Sequence, residues 1–301
     1  MYTQNQAYPS QPGYGYPPQQ PGYPPQQPGY PPQQPGFAPQ QPGYPPAYGS
    51  APTQPPLPPL SGGGGGLFGD PVGLFAEKAI RQAFISKVYS ILTMQLIFTS
   101  ILIGIFVLQE DTKKYFQGSP GWMFLGLGIF LVSYLILVCS ESARRSSPCN
   151  MILLCILTFG YGLEAAIISC HYDTRTVLFA FVATGISCFL IFLFAKTTSL
   201  DLTSCGTTLC LLGLGHMIIG MLMIAILVPL GYADVVPLVI SISGALLVSL
   251  YLVFDLQLIM GGRKCELSPE EYILAAVMLY VDIIQIFLYL LQIIGKVSED
   301  K

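Results

Sequence analysis

From Val88 onward the chain is a series of apolar runs, separated by short segments that hold most of the charged side chains. A helix needs about 20 apolar residues to cross the hydrocarbon core of a bilayer. The runs therefore predict spans at 88–108, 122–140, 151–170, 176–195, 208–230, 236–260 and 272–295. Pro120, Pro148, Pro229 and Pro237 fall at span ends, where a missing N–H does least harm. Trp122 and several tyrosines also lie near ends, as interface anchors do. The pattern predicts an all-α integral membrane protein with about seven transmembrane helices.

Upstream the pattern is of another kind. Residues 1–69 contain no Lys, Arg, Asp or Glu and repeat with period seven: Gly15–Pro21, Gly22–Pro28 and Gly29–Pro35 read GYPPQQP, and Gly36–Pro42 decays to GFAPQQP. Two or three prolines per repeat forbid a helix, so this is no coiled-coil heptad. Such a segment samples polyproline II and turns and has no aliphatic set to bury. The five glycines Gly62–Gly66 form a flexible joint. Pro45-Pro46-Ala47-Tyr48 matches the PPxY ligand of WW domains, whose aromatic grooves accept a preformed polyproline turn. The bland alternative is a solvated, multivalent tail. A PxxP at Pro55–Pro59 has no basic residue nearby to orient an SH3 ligand. The expected organisation is a disordered cytosolic tail (1–69), a juxtamembrane segment (70–87), a seven-helix membrane domain (88–295) and a short C-terminal tail (296–301).

Composition agrees: 52% of residues are hydrophobic and 10% charged, with mean hydropathy +0.58. Soluble domains carry about 25% charged residues. A net charge of −3 offers no basic patch and argues against nucleic-acid binding. Cys139, Cys149, Cys155, Cys170, Cys188, Cys205, Cys210 and Cys265 form no C-x-x-C, and the only histidines are His171 and His216. That pattern speaks against a disulfide framework or zinc site. No secretory signal peptide opens the chain, so the first span is expected to act as an internal signal-anchor.

With a cytosolic N-terminus, Lys78, Arg81, Lys87, Arg144, Arg145, Lys196, Arg263 and Lys264 fall on the cytosolic side. Lys113, Lys114, Arg175, Lys296 and Lys301 fall on the other. This excess favours that orientation. A last segment that turned back as a re-entrant hairpin would return the C-terminus to the cytosol.

Three carboxylates sit inside predicted spans: Glu164, Asp255 and Asp282. Each costs roughly 2.5–3.5 kcal/mol on insertion scales, which makes it a functional candidate. Asp282, Gln285, Tyr289 and Gln292 recur at helical spacing and so share one helix face. A polar stripe of this kind must face protein or water, because lipid cannot satisfy it. Ser268, Pro269 and Glu271 read as the N-cap, first turn and capping-box acid of the same helix. The short connection from Gly261 to Ser268 makes the last two helices antiparallel neighbours, so Asp255 and Asp282 can meet at similar depth. Two carboxylates in a low dielectric cannot both ionise cheaply. They would share a proton at low pH, and on losing it would hydrate, spread apart or bind a cation. Glu164, beside Gly160 and Gly162, either lines the same pathway or bonds locally at a helix contact.

The stretch from about Glu77 to Gly295 resembles the transmembrane Bax inhibitor motif family, and within it the lifeguard branch. Five ordered blocks carry the resemblance: EKAIRQAFISKVYSILTMQL, CSESARRSSPCN, AKTTSLDLTSCGTTL, LVFDLQLIMGG and LSPEEYILAAVMLYVDIIQIF. It implies a central last helix wrapped by the others, a pH-sensitive calcium leak across intracellular membranes and a negative effect on apoptosis. It also implies that Asp255 and Asp282 form a proton-sharing latch, touched transiently by calcium; Gln285 and Glu164 are further pathway candidates on their positions inside predicted spans and not on the resemblance. An arginine after the second helix, Arg144 in preference to Arg145, is implied to engage that latch. Leu256 stands where lifeguard proteins usually carry Thr, a departure that removes a hydroxyl near the latch. Glu164 is not part of the family pattern. The expected setting is the endoplasmic reticulum, Golgi or endolysosome, with membrane lipid, calcium, WW-domain proteins and apoptosis-regulating membrane proteins as partners. No cofactor is expected; calcium enters as the transported ion.

Two other classes compete. An intramembrane aspartyl protease also places one Asp on each of two adjacent helices, but resembles YD and GxGD followed by PAL. Here the corresponding residues are Phe254-Asp255 and Val281-Asp282, with Leu279 and Tyr280 where the glycine motif belongs, and no PAL follows. A serine-type site would have to use Ser243 and His216, a pairing that carries no motif. No enzyme is expected. The remaining alternative is a non-conducting scaffold that regulates apoptosis or trafficking through its proline-rich tail.

Overall fold

The computed structural model describes residues 71–119 and 121–299. The proline-rich tail, with Pro45, Pro46, Tyr48 and Gly62–Gly66, lies outside the described residues, as does Pro120. Among the described residues there is no strand. The helices are α1 (Pro71–Leu108), α2 (Glu110–Gln117), α3 (Gly121–Cys139), α4 (Glu141–Arg145), α5 (Cys149–Ser169), α6 (Thr174–Thr197), α7 (Gly206–Leu227), α8 (Val235–Met260) and α9 (Tyr272–Glu299). Seven of them, all but α2 and α4, are long and apolar enough to cross a membrane, as the runs predict.

Two elements differ in form from the sequence reading. α1 runs unbroken through the stretch that carries Glu77, Lys78, Arg81 and Lys87. Backbone hydrogen bonding continues there although the side chains turn polar, which an apolar window does not detect. α9 is one continuous helix of 28 residues, or about 42 Å at 1.5 Å per residue. The re-entrant hairpin is therefore excluded.

α9 is the centre of the bundle, packing against α1, α5, α6 and α8. Its Ala275, Ala276, Val277 and Tyr280 are fully buried. α7 is the opposite case. Among the spans it leans mainly on α8, and Leu211, Met217, Met221 and Ile224 stand exposed on its outside, as a lipid-facing helix requires. α3 packs chiefly on α5 at a close backbone approach. A Cβ on Gly160 would lie 2.8 Å from both the Phe130 backbone N and Ile129 Cγ2, so only glycine fits. Small residues are what allow membrane helices to approach so closely.

The connections zip together at each end. At one end Arg81 pairs with Glu266 at 2.9 Å and donates to the Leu267 carbonyl at 2.7 Å. Arg263 Nη2 donates to the Thr198 carbonyl at 2.6 Å, and Lys264 N donates to Asp201 Oδ2 at 3.0 Å. Fully buried Gln257 clamps the α6–α7 connection, donating to the Leu200 carbonyl at 2.8 Å and accepting from Leu202 N at 2.9 Å. At the other end Lys113 Nζ donates to the Tyr172 carbonyl at 2.9 Å, Gln117 to the Cys170 carbonyl at 2.6 Å, and Lys296 pairs with Asp234 at 3.0 Å.

Candidate ion site between the last two spans

α8 ends at Met260; Gly261, which caps it, has φ 73°, and Gly262 follows with φ 72°. Two successive left-handed residues are inexpensive only for glycine, and they turn the chain sharply enough for α9 to return alongside α8. Asp255 on α8 and Asp282 on α9 then face each other, with their carboxyl groups within hydrogen-bonding reach. Both are buried, at 5% and 9% exposure. Asp282 Oδ2 has no hydrogen-bond partner among the described residues. The pair lines a cavity of about 500 Å³, together with Tyr134 of α3, Gly213 of α7, Tyr251 of α8 and Gln285 of α9.

The polar stripe of α9 faces protein along its whole length. Gln285 Oε1 accepts the Tyr161 hydroxyl from α5 at 2.6 Å. Gln292 Oε1 accepts the Ser241 hydroxyl from α8 at 2.7 Å. Between them Tyr289 presses its ring against Gly244, where a side chain on α8 would leave no room.

The arginines are placed elsewhere. α4 begins at Ser140, whose side chain accepts from Ala143 N at 3.3 Å, a normal N-cap. This short helix lies beyond the span end and turns both guanidinium groups onto Glu271, at the head of α9. Arg144 Nε pairs with Glu271 Oε2, and Arg144 Nη1 donates to the Val138 carbonyl at 3.1 Å. Arg145 Nη2 meets Glu271 Oε1 at 2.6 Å, and its Nη1 meets Glu141 at 2.8 Å and Glu270 at 3.3 Å. The hydrogen bond to Glu271 holds the Arg145 guanidinium above its ordinary pKa. Glu271 itself is 6% exposed. The structure thus brings Asp255 and Asp282 together but joins neither Arg144 nor Arg145 to them. The reason is depth: eleven residues of helix, about 16 Å, separate Glu271 from Asp282. The capping box fails with it. The Ser268 side chain makes no cap bond, because the Glu271 N–H goes instead to the Ser268 carbonyl at 2.9 Å, and the Glu271 carboxylate, which would reach back to the Ser268 N–H, is committed to the arginines.

Glu164 lies apart from the pair. It sits on α5 where Gly126 of α3 crosses, so that a Cβ on Gly126 would meet Glu164 N at 3.2 Å. It does not line the cavity that holds Asp255 and Asp282, and its buried Oε2 has no partner among the described residues. Sequence reasoning also missed a buried polar chain. Gln95 donates to Thr158 at 2.8 Å, and Thr99 shares a 2.8 Å bond with Tyr280. Single uncharged residues spaced along apolar helices give little signal before the helices are assembled.

A seven-span α-helical membrane protein, with a buried carboxyl pair between its last two spans, is the class these features define. The chain belongs to the Bax inhibitor/lifeguard family. The family model described as "Inhibitor of apoptosis-promoting Bax1" matches residues 81–299. Protein lifeguard 3 of Mus musculus is 34% identical over 224 residues, covering 74% of this chain and 72% of that protein. Protein lifeguard 3 of Homo sapiens is 34% identical over 223 residues, covering 74% and 71%. The Golgi anti-apoptotic protein of Vaccinia virus (strain Lister) is 31% identical over 230 residues, covering 75% and 90%. None of these names describes an enzyme.

Proposed function

We propose that this protein is a pH-sensitive calcium leak pathway of an intracellular membrane, the Golgi or endoplasmic reticulum, and that it restrains apoptosis. The N-terminus is cytosolic in this reading. The observation that carries it is the buried contact between Asp255 and Asp282. Two carboxyls so close in a low dielectric are stable when they share one proton. The shared proton bridges α8 to α9 and closes the seam. Loss of the proton leaves two like charges that separate, hydrate and attract a cation.

Calcium binds best to six to eight oxygens. The described residues contain no group of three or more His, Cys, Asp or Glu placed to hold a metal ion. Two carboxylates with Gln285 beside them therefore suit an ion in transit better than a resident one. Tyr134 and Cys210 line the same cavity, together with Tyr251. Cys188 and Tyr161 are the other titratable groups close enough to feel Asp282. Among the described residues that line the cavity, Asp255 and Asp282 are the only carboxylic acids. The names of the relatives support the apoptotic role. The proline-rich tail then serves as a recruiter, with Pro45, Pro46 and Tyr48 offered to a WW domain.

Full-length protein reconstituted into calcium-loaded liposomes tests the reading. Flux should rise with pH and lose its pH dependence in Asp255→Asn and Asp282→Asn proteins. Wild-type liposomes no leakier than empty ones, or unaltered pH dependence in both variants, would overturn it.

A further inference from the structure

The cavity beside the carboxyl pair has a composition that calcium transit does not explain. Asp282 and Asp255 lie in its wall, but most of that wall is hydrocarbon, including Leu214 of α7, Val248 of α8 and Met278 of α9. It is framed by helices that rest on different neighbours, since α3 packs on α5 and α7 on α8. Cys210 and Leu214, on its rim, are exposed on the outside of the bundle. The mouth therefore opens onto the same surface as the lipid-facing side of α7.

We propose that this cavity binds lipophilic amines, which enter sideways from the bilayer between α3 and α7. The ammonium sits on the Asp255–Asp282 pair and the alkyl body lies along Leu214, Val248 and Met278. Asp282 is more than nine-tenths buried, and its Oδ2 lacks any donor among the described residues. A carboxyl group turns readily about its last torsion, which presents that oxygen to the cavity. An ammonium then supplies the missing N–H, and burial of its chain supplies the hydrophobic term. Tyr134, Tyr251 and Phe254 line the same space, and aromatic rings also attract cations. An alcohol of equal length gains the hydrophobic term without the charge, and an anion is repelled. The site rests on the geometry of the pair and not on whether the pair conducts.

The test uses full-length protein in phosphatidylcholine nanodiscs and a twelve-carbon alkylamine bearing a terminal diazirine, with the matched alcohol as control. Photolabelling should saturate, map to peptides carrying Tyr134, Cys210–Leu214 and Met278, and exceed labelling by the alcohol about tenfold, which corresponds to about 1.4 kcal/mol. It should fall to the alcohol's level in the Asp255→Asn/Asp282→Asn double variant. Leu214→Trp, which fills the mouth and keeps both carboxyls, should also reduce it. Equal labelling by amine and alcohol, indifference to either variant, or label spread over the lipid-facing surface overturns the proposal. Because labelling is independent of flux, a protein that binds amine without leaking defeats only the leak reading, and the converse defeats only this one.

Discussion

The Tyr161 hydroxyl donates to Gln285 Oε1 at 2.6 Å, joining α5 to α9 one turn beyond Asp282. The bond fixes the face of α9 that carries the carboxyl, because Tyr161 is itself held at 3% exposure and stacks on Phe130. Tyr161→Phe keeps the ring and leaves a half-buried amide oxygen without its donor. Such a loss costs about 1–3 kcal/mol. Thermal unfolding in detergent should shift downward for Tyr161→Phe, and an unchanged midpoint would show that the bond does not orient α9.

Glu271 offers a stronger test of the bundle end. Removing one partner of a buried ion pair leaves the other charge uncompensated and costs about 3–5 kcal/mol. Glu271→Ala should therefore destabilise the protein severely, with a loss near the lower figure because Arg144 retains some access to water (17% exposed). Removing the exposed Glu270 should change little. Thermal melts of the two variants side by side decide the matter, and equal effects would contradict the pairing.

Gly160 allows a steric prediction. A Cβ there meets the backbone of Phe130, which cannot step aside as a flexible side chain could. Gly160→Ala should cost about 1–3 kcal/mol, as overpacking does. Gly104→Ala meets nothing within 4 Å and should be neutral or slightly stabilising, since alanine favours the helix. If the two substitutions behaved alike in denaturation, the α3–α5 approach would be looser than described.

Asp201 gives a pH prediction. Hydrogen bonds from the Thr203 hydroxyl and from the Lys264 backbone N–H hold its carboxyl below the ordinary value of 3.8. A group with a depressed folded pKa stabilises the fold above its ordinary value, and that contribution disappears as pH falls through the folded value. The wild-type melting temperature should therefore drop on acidification below about pH 4. Asp201→Asn should start lower at neutral pH and show a shallower drop. Parallel curves for the two proteins would remove Asp201 from the acid response.

Much of this architecture was legible because membrane helices announce themselves by length. Asp282, Gln285, Tyr289 and Gln292 were legible as one face because helical periodicity is local, and the short Gly261–Ser268 connection made α8 and α9 neighbours. The position of Arg144 and Arg145 was not legible. It depends on how deep α4 sits relative to α9, and depth is a tertiary quantity. Glu271 was misread for a related reason. A Ser three residues before a Glu satisfies a local capping pattern, and nothing in that pattern reveals two guanidinium groups arriving from more than a hundred residues away. Glu164 gave the same signal as the aspartates, an acid in a span, yet it lies at a separate helix crossing.

The central position of α9 has a consequence for biosynthesis. Chains emerge from the ribosome N-terminus first, so the hub of this bundle is delivered last. Until Tyr272–Glu299 inserts, Asp255, Tyr161 and Ser241 lack their partners, and α1, α5, α6 and α8 have no common surface to close upon. Six waiting helices with exposed polar groups are the kind of intermediate that membrane quality control removes. A nascent chain stopped at Ser268 should accordingly be degraded much faster in a pulse-chase than one that lacks residues 1–60, even though the N-terminal deletion is longer.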